Sequence, residues 1–137
     1  LKVGMNVSVA TPKAYQPDGT VLSFASAYGD KFSLTDDIHA AAAGADVVFT
    51  DVWASMGMEG EAQQRRAAFT GYQVNDELLS VCARDVMVQH CLPAHRGEEI
   101  TESVFEAHAN EIFDEAENRL HAQKAVMVKL MEKPPLF

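Results

Sequence analysis

The chain has 137 residues, 47% of them apolar and 23% charged, which is the size and balance of a single globular domain able to bury a core. Its formal charge of −9 argues against nucleic-acid binding, because phosphate contacts need a basic patch, and reads instead as a solubility feature. No apolar run approaches the length of a membrane span, and two cysteines, Cys82 and Cys91, make no disulfide framework and fit a reducing, cytoplasmic setting. The chain opens Leu1-Lys2-Val3-Gly4 without an initiator Met or a secretory leader, which suggests a trimmed or excised product.

In chain order, Leu1–Met5 reads as the tail of a helix ended by Gly4. Asn6–Ala10 alternates polar and apolar residues and stops at Thr11-Pro12, so it predicts a strand. Gln16-Pro17-Asp18-Gly19 predicts a turn in which Gly19 supplies a positive φ. Val21–Tyr28 has helical spacing and halts at Gly29. Phe32–Leu34 predicts a short strand. Thr35 or Asp36 then caps a helix over Asp37–Ala43, ended by Gly44.

Val47–Thr50 predicts a buried strand and Glu61–Phe69 a charged helix. Asn75 caps a helix over Asp76–Ala83, which places Cys82 on an apolar face as a small core residue. Val86–Gln89 predicts a further strand. Thr101 caps Glu102–Ala107, Ile112-Phe113 forms a brief strand or a packed connector, and Glu115–Met131 is the long closing helix. Strands alternating with helices predict an α/β fold, a parallel sheet with helices on both faces.

Two strands end in unusual chemistry. Val86-Met87-Val88 runs into His90-Cys91-Leu92-Pro93-Ala94-His95-Arg96-Gly97, and Val47–Thr50 runs into Asp51-Val52-Trp53-Ala54-Ser55-Met56-Gly57. The carboxyl ends of parallel strands are where open α/β sheets bind ligands, so a carboxylate, a hydroxyl, a thiol and cationic groups are expected on one rim.

His90-Cys91-Leu92-Pro93, taken with Asp51-Val52-Trp53-x-Ser55-Met56-Gly57, resembles the ornithine carbamoyltransferases, and more narrowly their carboxy-terminal, ornithine-binding domain. Glu115-Ala116-Glu117-Asn118-Arg119-Leu120-His121 matches the family's last helix. The resemblance runs from the first residues to that helix and implies a Rossmann-like fold. It makes residues 1–137 a partial ornithine-binding domain whose first, central strand lies upstream of Leu1. The remaining sheet is then expected to be split, with unpaired edges, and the isolated chain to be sticky, domain-swapped or paired with its missing half, and inactive by itself. The family's Ser-Thr-Arg-Thr phosphate-binding segment belongs to an amino-terminal carbamoyl-phosphate-binding domain and does not occur in this sequence.

The reaction so implied is attack of the ornithine side-chain amine on carbamoyl phosphate, giving citrulline and phosphate. It requires a held, unprotonated amine, a clamped amino-acid head group and preorganised donors for the developing oxyanion. The resemblance makes Asp51 a catalytic residue and the clamp for the α-ammonium, with helix capping as the plainer reading. Ser55 would contact the head group, or be an N-cap. Met56 would offer its backbone N–H to the carboxylate, or fill core. Trp53 reads as a packing anchor.

Cys91 is the sharpest candidate, a catalytic residue beside the reacting amine and the carbamoyl carbon. No covalent intermediate is invoked, because a free amine is already a sufficient nucleophile. The resemblance also puts Cys91 and Leu92, with His90 and Arg119, among the carbamoyl-phosphate contacts; Leu92 would present its carbonyl to the amine, and Pro93 would fix the loop through a cis bond. His90 either polarises the carbamoyl oxygen or is a strand-end residue bonded to backbone. Arg119 suits the carbamoyl oxygen or phosphate, unless it pairs with Glu115 one turn back. His95 and Arg96 bind anions or form a solvated loop face.

No zinc site has sensible spacing, and no cofactor is implied, although incidental metal binding at Cys91 is compatible with the thiol. Met58 departs from the polar residue usual in the family. L-ornithine, carbamoyl phosphate, the amino-terminal domain and further copies in a trimer are the implied partners; nucleic acid and membrane are not. A non-catalytic interaction module of the same fold, and a sister transcarbamylase acting on another amine, are the alternatives. Cys91 argues against the aspartate enzyme, and Asp51 with Ser55 argues for an α-amino-acid head group.

Overall fold

The computed structural model describes residues 1–54, 57 and 59–132. Its strands are β1 (Val7–Ala10), β2 (Phe32–Thr35), β3 (Val47–Thr50) and β4 (Met87–His90). Its helices are α1 (Gly19–Ser26), α2 (Ile38–Ala42), α3 (Ala62–Ala68), α4 (Asp76–Leu79), α5 (Glu102–Ala107) and α6 (Ala109–Met131). β1 pairs in parallel with β2 and β3 in parallel with β4, so the described strands make two separate two-stranded sheets. The split is the one expected from the sequence.

A cavity of about 410 Å³ lies between the pairs, lined by Ser8 and Ala10 of β1 and by Val47 to Thr50 of β3. Val47 and Phe49 remain exposed, Phe49 at 59%. Apolar residues on both faces are the mark of a parallel strand meant to be covered, and here one face of β3 is bare.

The core sits on the β3–β4 side. Ala42, Val74, Leu78, Val88, Ile100, Val104, Phe105 and Ile112 form one buried cluster, with Cys82 and Leu92 packed against it. α2 lies on β1 and β2, and α6 runs along β4 and meets α5. Cys82 donates its S–H to the Leu78 carbonyl at 3.5 Å, the structural role predicted for it. Among the described residues no strand pairs with the far side of β4; there the Val88 N–H donates to Glu111 Oε2 of α6 at 2.9 Å. A side-chain acceptor thus takes the place of a neighbouring strand.

Several local expectations are corrected. Leu1–Met5 is a turn, closed by Gly4 N–H to Leu1 carbonyl at 2.9 Å, and no helix. Gly19 is not a positive-φ turn residue but the first residue of α1, because the Asp18 carboxylate accepts from the Thr20 and Val21 N–H groups and starts the helix there. The cap of α2 is Asp37, not Thr35 or Asp36; Thr35 instead accepts from the Asp37 N–H at 3.0 Å. α4 stops at Leu79, short of Ala83. Ile112-Phe113 lies inside α6, which starts at Ala109, because a helix from there turns Ile112 fully into the core. Asn75 and Thr101 cap α4 and α5 as predicted, accepting from the Leu78 and Val104 N–H groups. Gly29 and Gly44 end α1 and α2 with φ of +58° and +68°, a conformation open to glycine at little cost.

Candidate functional site

The site follows from one register. β3 and β4 align Thr50 with His90, so the next residue of each chain, Asp51 and Cys91, leaves the sheet side by side. Adjacent strands stand about 4.8 Å apart, and the Asp51 carboxylate, the Cys91 sulfur and a His90 ring nitrogen all lie within 4.8 Å of one another. Asp51 is exposed and Cys91 half-buried. Both line a cavity of about 420 Å³, together with Leu92, Pro93, His95, Arg66 and Glu98.

Asp51 Oδ1 accepts the Val52 N–H at 2.8 Å. Its carboxylate also takes a hydrogen bond from the Cys91 thiol and lines the cavity, a suitable seat for an ammonium group. Burial pushes the Cys91 thiol up, and the neighbouring Asp51 carboxylate and the charge of Glu115 push it further. The sulfur is therefore S–H at neutral pH, a donor and packing surface and not a thiolate nucleophile.

Period-two alternation explains His90. It stands two residues after Val88, so it turns to the same side as that core residue, and both are 0% exposed. The Leu92 N–H donates to His90 Nδ1 at 2.9 Å, so Nδ1 carries no proton. Nε2 must then carry it, and donates to Glu99 Oε1 at 3.0 Å. Neither ring nitrogen faces the cavity. Of the two roles open in the sequence, His90 has the geometry of the strand-end residue bonded to backbone; contact with a carbamoyl oxygen would require breaking one of these bonds.

Glu99, also 0% exposed, accepts a second time through Oε1, from the His95 N–H at 2.6 Å. Burial alone would raise its carboxyl, but the hydrogen bonds from His90, from His95 and from its own backbone outweigh this and hold it below the ordinary glutamate range. Sequence reasoning missed Glu99. It reads as the second of two acids in a polar loop, and only its burial marks it out.

Leu92 sits at φ +56° and its bond to Pro93 is cis. No described donor reaches the Leu92 carbonyl, which leaves it available to an amine. Arg96 turns away from the cavity: its guanidinium lies 4.5 Å over the Phe105 ring and pairs with Glu106 at 2.6 Å. His95 stays exposed at the cavity wall.

Arg66 pairs with Glu98 at 2.8 Å and ties α3 to the far wall. Trp53 stacks on Phe69 at 6.2 Å and 23°, in keeping with an anchor. Arg119 is exposed on α6, outside the residues lining the cavity. Among the described residues Arg119 forms no ion pair with Glu115. Ser55, Met56 and Met58 lie outside the described residues.

Asp51, His90 and Cys91, and separately His95, Glu98 and Glu99, are close enough to share an ion. In the first group both imidazole nitrogens are engaged and the thiol is protonated; in the second, Glu98 is held by Arg66. Neither group presents a free ligand set.

A parallel α/β scaffold thus delivers an acid and a protonated thiol from adjacent strand ends into one cleft, the placement that open α/β sheets use for small ligands. The family model "Aspartate/ornithine carbamoyltransferase, Asp/Orn binding domain" matches residues 1–130, and the chain belongs to that family. Within it the similarity is to ornithine enzymes. The ornithine carbamoyltransferase of Methanosarcina acetivorans is 54% identical over 129 residues, covering 94% of this chain and 43% of the relative.

The crystal structure of the anabolic ornithine carbamoyltransferase of Campylobacter jejuni matches with a TM-score of 0.85 at 41% identity, over 90% of this chain and 42% of that one. The ornithine carbamoyltransferase of Pyrococcus furiosus matches with a TM-score of 0.81 at 49% identity, over 92% and 42%. These neighbours share the Rossmann-like fold. The chain spans less than half the length of the relatives it matches.

Proposed function

We propose that this chain is the ornithine-binding domain, residues 1–137, of a protein that transfers the carbamoyl group of carbamoyl phosphate to the side-chain amine of L-ornithine, giving L-citrulline and phosphate. One observation carries the reading: the Asp51 carboxylate and the Cys91 thiol stand together at the wall of one open cavity. Ornithine brings two ammonium groups and one carboxylate. An exposed carboxylate flanked by a neutral thiol and a free carbonyl suits the cationic ends of such a molecule.

Asp51 draws in and orients the α-ammonium. The Leu92 carbonyl accepts a hydrogen bond from the side-chain amine once it is unprotonated, and so aims its lone pair. Cys91, held as S–H, packs beside the amine and donates toward the developing charge without forming a bond to carbon. The amine lone pair attacks the carbamoyl carbon, the C–O bond to phosphate breaks, phosphate departs with that electron pair, and the proton the amine nitrogen sheds on becoming the ureido N–H of citrulline goes to the departing phosphate. Holding the reactants so aligned supplies much of the acceleration.

Ser55 and the Met56 N–H are assigned to the head group and Arg119 to the carbamoyl phosphate side, on the family resemblance. His90 serves from behind the loop. A separate amino-terminal domain supplies the phosphate site, and the assembly is a cytoplasmic trimer. Among the described residues no helix is long and apolar enough to cross a membrane.

The test joins this sequence in frame behind the amino-terminal part of the Methanosarcina acetivorans relative. The joined protein should form citrulline from ornithine and carbamoyl phosphate, and the chain alone should not. A joined protein that folds and binds carbamoyl phosphate but makes no citrulline would overturn the proposal.

A further inference from the structure

We propose that Glu99 is the positioning residue of the site: through its single oxygen Oε1 it ties the start of the 90–95 loop to the loop's end and so fixes Cys91 and Leu92 in the cavity wall. This rests on the functional reading above. Oε1 accepts from His90 Nε2–H at 3.0 Å and from the His95 N–H at 2.6 Å. Between those two anchors lie Cys91, Leu92 and Pro93, three residues that line the cavity. Glu99 is 0% exposed and touches none of the reacting groups.

The connection reaches Leu92 through the imidazole. With its Nε2 proton directed at Glu99, His90 can present only a lone pair at Nδ1, and that lone pair receives the Leu92 N–H at 2.9 Å. Leu92 at φ +56° is in a left-handed conformation that is unfavourable for a non-glycine residue, and such a conformation persists only where surrounding contacts enforce it. This bond is such a contact, added to the packing of Leu92 against the core, and the other imidazole tautomer would abolish it. An acceptor oxygen in the place of Oε1 selects the tautomer, because it takes the Nε2 proton.

Burying an acid at this point has a structural cost. Its second oxygen, Oε2, has no hydrogen-bond partner, a condition that is costly for a buried charged group. An apolar residue could fill the same space without that penalty. None could hold His90 and His95 at once.

Three substitutions in the joined two-domain protein test this. Glu99→Gln keeps an acceptor oxygen for both donors and should leave kcat within about threefold of the parent. Glu99→Asp is one methylene shorter and Glu99→Ala has no acceptor; both should lower kcat about 100-fold, the scale of a 1 Å misplacement of reacting groups. Half-saturation by carbamoyl phosphate should change little, because its phosphate site belongs to the other domain.

Amide hydrogen exchange is read on the same samples. Glu99→Asp and Glu99→Ala should speed exchange at Leu92 and His95 at least tenfold beyond the change at Val104 and Ile112 in the core, and Glu99→Gln should not. A protein that makes no citrulline at all rejects the functional reading, while the exchange pattern still decides the role of Glu99. Uniform exchange, or Glu99→Ala with parental kcat per folded site, overturns the role. If Glu99→Ala does not fold, Glu99→Asp alone decides between the same two outcomes.

Discussion

Glu111 offers the sharpest test of how β4 is held. Its Oε2 accepts the Val88 N–H at 2.9 Å and lies 3.0 Å from His108 Nδ1. Val88 is 0% exposed, so removing the acceptor strands a buried backbone donor. Such a loss costs about 1–3 kcal/mol. The Glu111 side chain is 36% exposed, so water can partly replace it, and the lower half of that range, about 1–2 kcal/mol, applies to Glu111→Ala. With a urea m-value of about 1.5 kcal/mol/M for a domain this size, the unfolding midpoint should fall by about 1 M at unchanged m. Glu111→Gln keeps a carbonyl oxygen for Val88 and should lose less than half as much. Val88 amide exchange should quicken in the alanine variant more than in the glutamine one. A midpoint shift under about 0.2 M for Glu111→Ala, or equal loss in both variants, would refute the claim that the acceptor matters rather than the charge.

Two further outcomes are expected. Ile112→Ala, at a fully buried helix position, should destabilise the domain by about 2–5 kcal/mol in chemical denaturation, through lost transfer energy and the cavity left behind; a loss below about 1 kcal/mol would place Ile112 outside the core. Cys91 should react slowly with iodoacetamide at neutral pH and faster only above the ordinary thiol range, because burial and the neighbouring acids raise it. Removing the Asp51 charge by Asp51→Asn should shift that rise to lower pH, with peptide mapping to separate Cys91 from Cys82; an unmoved profile would mean that Asp51 does not face the sulfur.

What the sequence made legible was whatever rests on local chemistry. The strand Val47–Thr50, the caps Asn75 and Thr101, and the stops at Gly29 and Gly44 each depend on a residue type acting within a few positions. The convergence of Asp51 and Cys91 was readable because two apolar strands end in polar runs, and parallel pairing brings such ends together. Where several residues could do one local job, the choice was not readable: Thr35, Asp36 and Asp37 can all cap, and backbone geometry at Asp37 decided. Ile112-Phe113 looks like a strand within its own short window, and only burial against β4 and α5 shows it to be helical. Glu99 and Glu111 escaped for the same reason. A carboxylate that serves a distant backbone N–H looks like surface charge until the tertiary fold puts it inside. His90 was half legible: two residues after Val88 it was bound to face the core, which favours its bonded role over contact with substrate.

The central claim is that Asp51 and Cys91, side by side at the wall of a single cavity, together hold one diamino acid. Ornithine saturation curves of Asp51→Asn and Cys91→Ala in the joined two-domain protein test it most directly. Asp51→Asn should raise ornithine half-saturation by about 10- to 100-fold, the value of a charge-assisted contact of about 1.5–3 kcal/mol. Cys91→Ala should lower turnover strongly while leaving carbamoyl phosphate half-saturation almost unchanged. Unaltered ornithine saturation in the first variant, with near-parental turnover in the second, would contradict the account.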